Sequence, residues 1–271
     1  MAVAAAALML CASTGFSLDL SSVVSLTIPE GEVARVEVGG KTVWPSIPYV
    51  TNGLIAYWDG AWNAGLGVHD SSATNWVDLS GNGLDLAVNL GICAWGSDGM
   101  SISRTVNDTN HYASAGRPIT NALTVELVLK RDGNALGCSF STGRGAGLTH
   151  NRWLAFRADN SADMMHGGPK TTIPPTMQQV GFTIAGVWES IGGENLLYVN
   201  GQRRESEGSG FNSGQQNADA GFGSGAGNYY DHVASGTRYY SGRIYNRALS
   251  AEEIAHNAAI DAVRFGIGGG K

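Results

Sequence analysis

The sequence predicts an all-β protein: a two-sheet antiparallel jelly-roll sandwich with a short C-terminal helix and a small N-terminal β segment. Three observations lead there. Short runs with period-two alternation recur from about Tyr49 onward. Glycine is abundant, 39 residues against seven prolines, as numerous tight turns require. One strong helix signal stands near the C-terminus, where Ser250-Ala-Glu-Glu253 forms a capping box.

Residues 1–20 are Ala-rich with helical propensity. The apolar run from Ala2 to Ala12 is too short to span a bilayer. The first basic residue is Arg35, so the run lacks the basic start of a secretory signal. An anchoring arm is expected, with an atypical signal as the alternative. Residues 21–48 read as a small β attachment segment and linker. Val23–Ile28, Val33–Val38 and Lys41–Trp44 are strand-like, Gly39-Gly40 is a two-residue hairpin signal, and Pro45 to Pro48 is stiff. Residues 49–271 form the sandwich.

Within it, Leu123, Val125, Leu127 and Leu129 share one face of a strand, with Thr124, Glu126 and Lys130 on the other. Val180, Phe182, Ile184 and Trp188 are in phase along a second strand. Leu196–Val199 leads into Asn200-Gly201, a strong hairpin signal. Residues 208–227 read as a long Gly/Ser/Asn/Gln-rich surface loop. The helix that starts at Ser250 is expected to end near Asn257.

Composition narrows the function. Hydrophobic residues make up 43% and charged residues 15%, enough for a sizeable core. Net charge is −6 with no basic run, which argues against nucleic acid as a partner. Cys11, Cys93 and Cys138 are odd in number and widely spaced, so buried thiols are expected in place of a zinc site or disulfide framework. Gly40-Lys41-Thr42 imitates the end of a phosphate-binding loop, but Arg35 stands where that pattern needs glycine.

Five strings carry a resemblance. Gly53-Leu-Ile-Ala-Tyr-Trp-Asp-Gly60, Gly67-Val-His-Asp70, Trp76-Val-Asp-Leu-Ser-Gly-Asn-Gly83, Leu197-Tyr-Val-Asn-Gly201 and Gly242-Arg-Ile-Tyr-Asn-Arg-Ala-Leu-Ser-Ala-Glu-Glu-Ile254 resemble, in order and spacing, the laminin-G-like, concanavalin A-like lectin/glucanase superfamily. The version they look like is common in bacterial surface and prophage proteins. Leu26–Trp44 separately resembles short attachment units of phage tail or fibre proteins. The resemblance implies a glycan-binding head on an anchoring arm. It also implies a structural calcium in some relatives, held by an acidic residue just before the last string. Here those positions read Tyr239-Tyr-Ser-Gly-Arg243, without a carboxylate.

No cofactor is expected. Asp78–Gly83 begins like an EF-hand loop, but the twelfth position is Asn89, and a structural turn is the favoured reading. Asp59, Asp70 and Asp78 are the alternative, a calcium set of another kind. The glucanase branch of the resemblance uses three carboxylates on one strand face, a string absent here, so the chain is expected not to be an enzyme. Trp58, Trp76 and Trp188 are assigned to the core. Glycan contacts are assigned to Tyr229, Tyr230, Asp231 and His232, with Arg152 and Trp153 next, because rings beside planar polar groups suit sugars. His150-Asn151 and Met165-His166 complete the candidates.

The expected function is therefore a non-enzymatic carbohydrate-binding or adhesion module, on a virion or at the cell exterior. Its partners are surface glycans, with self-association or virion contacts through the N-terminal segment and no membrane span. The alternatives are a purely structural decoration protein, or a secreted bacterial lectin or hydrolase accessory domain.

Overall fold

In the computed structural model, alternation along the central strand β11 (Thr124–Lys130) buries both of its faces. Val125, Leu127 and Leu129 enter the main core, while Thr124, Glu126 and Val128 are buried on the opposite side. The structure describes residues 27–28, 31–32, 36–38, 41–44, 49–102, 113–118, 124–131, 137–142, 152–156, 159–164, 169–188, 194–207, 219–222 and 236–267.

Strand β11 pairs antiparallel with β16 (Phe182–Trp188) and β20 (Arg238–Tyr245). Beyond β16 lie β17 (Asn195–Val199) and β18 (Gln202–Glu207). Beyond β20 lie β9 (Gly99–Ile102) and β8 (Cys93–Gly96), and β5 (Leu54–Asp59) also pairs with β20. A second eight-stranded antiparallel sheet runs in the order β15 (Lys170–Thr172), β14 (Ser161–Met164), β13 (Arg152–Phe156), β12 (Gly137–Thr142), β19 (Asp219–Phe222), β10 (Ala113–Pro118), β7 (Leu86–Val88) and β6 (Asn75–Trp76). Ahead of these, β1 (Thr27–Ile28) pairs with β2 (Gly31–Glu32), and β3 (Val36–Val38) with β4 (Lys41–Trp44). Val38 faces Lys41, the pairing expected around Gly39-Gly40.

The two large sheets share one core. Phe222 of the second sheet meets Trp58 of the first edge-on at 5.5 Å, and it also packs against Trp76, Phe140 and Tyr239. This packing demands a glycine opposite. A β-carbon on Gly242 would sit 2.5 Å from Phe222 Cζ. Trp58, Trp76 and Trp188 are core residues, as expected. Cys93 is buried, and burial pushes its thiol pKa up to about 12. The Asn200-Gly201 hairpin forms, with both residues at positive φ and Val199 facing Gln202.

Three readings need correction. Residues 208–227 are not one surface loop: Asp219–Phe222 form β19 between β12 and β10 of the second sheet, and Phe222 is core. Val180 does not belong to β16. It ends the short helix α1 (Pro175–Val180), it is exposed, and Gly181 at φ 110 turns the chain into β16. The C-terminal helix α2 runs from Ala251 to Phe265, well past Asn257, and Gly266 caps it in the left-handed conformation. The capping box forms as expected, with Glu253 N donating to Ser250 Oγ and Ser250 N donating to Glu253 Oε2. The helix continues because Ile254, Asn257, Ala258 and Asp261 all face the sheet, at helical spacing.

Beneath α2 lies a second apolar cluster, with Ala185, Val187, Leu196, Tyr198, Tyr245, Leu249 and Ile254. At its edge Arg243 lies between Glu126 and Asp261. Nε donates to Glu126 Oε2 at 2.8 Å, Nη1 donates to Asp261 Oδ1 at 2.9 Å, and Nη2 bonds Asp261 Oδ2. Asn257 Nδ2 adds a bond to Glu126 Oε2 at 2.8 Å and one to the Tyr245 hydroxyl at 3.0 Å. The Tyr49 ring lies under the Arg243 guanidinium, 3.9 Å from its centre.

This cluster sets two carboxylates against one guanidinium in a dry place. Burial holds the Glu126 carboxyl above its ordinary range, even though Arg243 draws it down. A carboxyl with a raised folded pKa favours the folded state below its ordinary pKa, and that contribution is lost as pH rises through the folded value. Glu126→Gln keeps an acceptor for Arg243 and removes the surplus charge. It should therefore raise the melting temperature at pH 8 and flatten the decline of stability between pH 5 and pH 8. A thermal melt series showing Glu126→Gln equally or more destabilised at pH 8 than at pH 5 contradicts this.

Candidate functional site

The sheet containing β13 has two faces that register separates cleanly. Val88, Phe222, Phe140, Leu154 and Met164 line up across neighbouring strands and fill the core. The alternate row reads Asn75, Ala87, Ser114, Gly221, Ser141 and Trp153, each paired to the next. Period two places that row on the outer face. Asn75 and Ala87 in it are exposed, whereas Ala155 and Asp163 in the neighbouring outer row are buried. Gly221, in the same row as Asn75 and Ala87, is buried as well.

Tyr229, Tyr230, Asp231 and His232 lie outside the described residues, as do His150, Asn151, Met165 and His166. Arg152 and Trp153 open β13, and their backbone positions are informative. Arg152 is in phase with the core residues Leu154 and Phe156, and Trp153 takes the alternate phase. Consecutive strand positions belong to opposite faces, so the structure does not bring these two together as one contact set. Trp153 instead shares its row with Gly221 of β19, two strands away, or about 10 Å. Strand β19 ends at Phe222, seven residues before Tyr229.

The candidate calcium carboxylates do not assemble. Asp59 Oδ1 accepts from the backbone of Ala61 and Trp62, and its Oδ2 accepts from the Tyr57 hydroxyl and Arg264 Nε. Asp78 accepts from Tyr57 N, Ser80 N, Ser80 Oγ and Leu84 N. Asp70 accepts from Ser72 N and Oγ, and those bonds hold its carboxyl below the ordinary range. Protein donors already occupy both oxygens of Asp59 and Asp78 and one oxygen of Asp70. Among the described residues no group of three His, Cys, Asp or Glu could hold a metal. Asp78–Gly83 is the turn expected as the alternative to a metal loop, with Gly81 and Gly83 at positive φ.

Sequence reading missed the polar residues on the inner face of α2. Asn257, Asp261 and Arg264 follow one another at helical spacing, a signal legible only if the helix is extended beyond Asn257. It also missed Trp62, which ends a 3₁₀ turn that Asp59 caps.

No family model matches the sequence, and no curated protein matches it. Solved structures do. Trypanosoma rangeli sialidase in complex with sialic acid is 16% identical with a TM-score of 0.57, the match covering 90% of this chain and 37% of that one. Trypanosoma rangeli sialidase crystallised separately gives 15% identity and a TM-score of 0.58, covering 90% and 36%. The receptor binding domain of botulinum neurotoxin D is 14% identical with a TM-score of 0.54, covering 79% and 54%. This chain therefore spans little more than a third of the length of the sialidases it matches.

At these identities the likeness shows a β-sandwich-like fold. It corrects one expectation: chains that contain this fold include sialidases, which are enzymes. The missing carboxylate string on one strand, the ground for expecting no catalysis, is thus no ground for setting this fold apart from enzymes. No helix among the described residues is long and apolar enough to cross a membrane.

Saturated carboxylates predict indifference to calcium. Neither millimolar calcium nor a chelator should move the melting temperature. A calcium-dependent rise of several degrees, lost on Asp59→Asn or Asp78→Asn, is the contrary outcome.

Proposed function

We propose that the two large sheets form a jelly-roll sandwich of the concanavalin A-like, laminin-G-like class, and that it binds glycans on the outer face of the sheet containing β13. The observation that carries this reading is the register. A row of small residues, Ala87, Ser114, Gly221 and Ser141, leads across four strands to Trp153. Small residues beside an aromatic make a shallow surface suited to a flat sugar ring. Residues Tyr229 to His232 follow β19, a strand in the same row, in sequence. The likeness to a sialidase in complex with sialic acid and to a toxin receptor binding domain supports a carbohydrate ligand.

The first sheet offers no equivalent, because α2 covers its outer side. Residues 1–48 are read as an attachment segment outside the sandwich, holding the head on a virion or at the cell exterior. The support is the resemblance of Leu26–Trp44 to tail attachment units and the two small strand pairs found there. Self-association through this segment would suit weak sites, since linked copies raise avidity by about 10².

A glycan array on the full chain tests the reading, followed by two variants on the best glycan. The double replacement Tyr229→Ala with Tyr230→Ala, and separately Trp153→Ala, should each reduce binding at least about tenfold with the melting temperature nearly unchanged. Binding retained in full by both folded variants moves the ligand off this face. An array without any bound glycan rejects the function.

A further inference from the structure

Two other arginines of this protein, Arg243 and Arg247, spend the forked end of the guanidinium on a carboxylate. Arg243 gives Nη1 and Nη2 to Asp261. Arg247 gives both to Glu253, at 2.7 and 2.6 Å. Arg264, in the last turn of α2, does otherwise. Its Nε donates to Asp59 Oδ2 at 2.9 Å, and it makes no other hydrogen bond among the described residues. Neither Nη is enclosed, and the side chain is 20% exposed, so the fork opens to solvent.

The group is nevertheless held in place. Its guanidinium carbon lies 3.5 Å from the centre of the Trp62 ring and 5.7 Å from that of Phe265. Asp59, its anchor, is fully buried and is itself fixed by Ala61 N, Trp62 N and the Tyr57 hydroxyl. Phe265 is half-buried and stacks on Tyr240 at 5.5 Å and 28°. An arginine pinned along one edge and stacked on one face has already lost its side-chain freedom, so a ligand need not order it. Two parallel N–H donors in one plane match a carboxylate. The Asp59 charge offsets that of Arg264 at a distance, so recognition depends on docking geometry more than on long-range attraction.

We propose that Arg264, Trp62 and Phe265 form a second binding site, for a carboxylate-bearing sugar of the sialic or uronic acid type. The sugar carboxylate accepts two bonds from the Arg264 fork, and an apolar face of the sugar lies on Phe265. The carboxylate half of this assignment stands on the fork alone, and the sugar half rests on the glycan reading above.

The Arg264 Nε–Hε signal in a heteronuclear NMR spectrum of the full chain reports on the site, identified by its loss in Arg264→Lys or, if that variant fails to fold, by through-bond assignment. All ligand titrations use the unmutated protein. N-acetylneuraminic acid should shift this signal saturably. Its methyl ester, which lacks only the charge, and acetate, which lacks the ring, should each bind at least about tenfold more weakly. A methyl ester that binds as well as the acid overturns the role of the fork. Acetate that binds as well as the acid overturns the role of Phe265 and the sugar. No shift with the acid at any soluble concentration overturns the site. Glycan binding at the β13 face with the Arg264 signal unmoved removes this site and leaves that function standing, so the two proposals fail separately.

Discussion

Arg243 is the residue on which the rest of the arrangement depends. Its side chain is 1% exposed and touches three parts of the chain that are distant in sequence: Glu126 on β11, Asp261 on α2, and the Tyr49 ring just ahead of β5. A guanidinium in that position is tolerable because both ends and one face find partners. Removing it would leave two carboxylates facing each other out of water, a change that costs about 3–5 kcal/mol. The apolar cluster around Leu196, Tyr198 and Ile254 could form with many helix registers. The bidentate bond to Asp261, with Asn257 bridging Glu126 and Tyr245, admits one.

That constraint distributes the molecule's surfaces. With α2 locked on the outer side of the first sheet, β11, β16 and β17 are buried on both faces, and their functional use is as scaffold. The row proposed to bind glycans belongs to the second sheet, where Asn75 and Ala87 are exposed and Gly221, Ala155 and Asp163 are buried. The same lock fixes the last turn of α2 beside the 3₁₀ turn at Gly60–Trp62, so Arg264 meets Asp59 and Trp62. Val50 N bonds Asn257 Oδ1 at 3.0 Å, which ties the chain just ahead of β5 to the same helix. The residues just ahead of β5, the helix α2 and the central strand therefore converge on one buried ionic cluster.

Much of the fold was legible because period and turn chemistry are local. The strand at Val125–Leu129, the Asn200-Gly201 hairpin, the capping box at Ser250 and the core tryptophans need no tertiary information. What escaped were features that depend on a partner far along the chain. Glu126 reads as a surface residue of an amphipathic strand until a helix more than a hundred residues later covers it. Asn257 reads as a polar helix end until it is seen bonded to Glu126. Val180 reads as the first in-phase residue of a strand, since alternation cannot register that Gly181 takes positive φ. The candidate site was legible only in part. Arg152 and Trp153 read as loop residues, but they open β13 inside the second sheet, and the Arg264 site required knowing where α2 ends.

The account stands on α2 being an integral layer of the fold and not an appendage. Native-state hydrogen exchange measures this directly. Amides in the interior of α2, around Asn257 to Asp261, should exchange only through global unfolding, with the same free energy and denaturant dependence as those of β11 and β20. Exchange of the helix at clearly lower free energy, while β11 and β20 stay protected, would show that it undocks alone and that the Arg243 cluster does not hold the fold together.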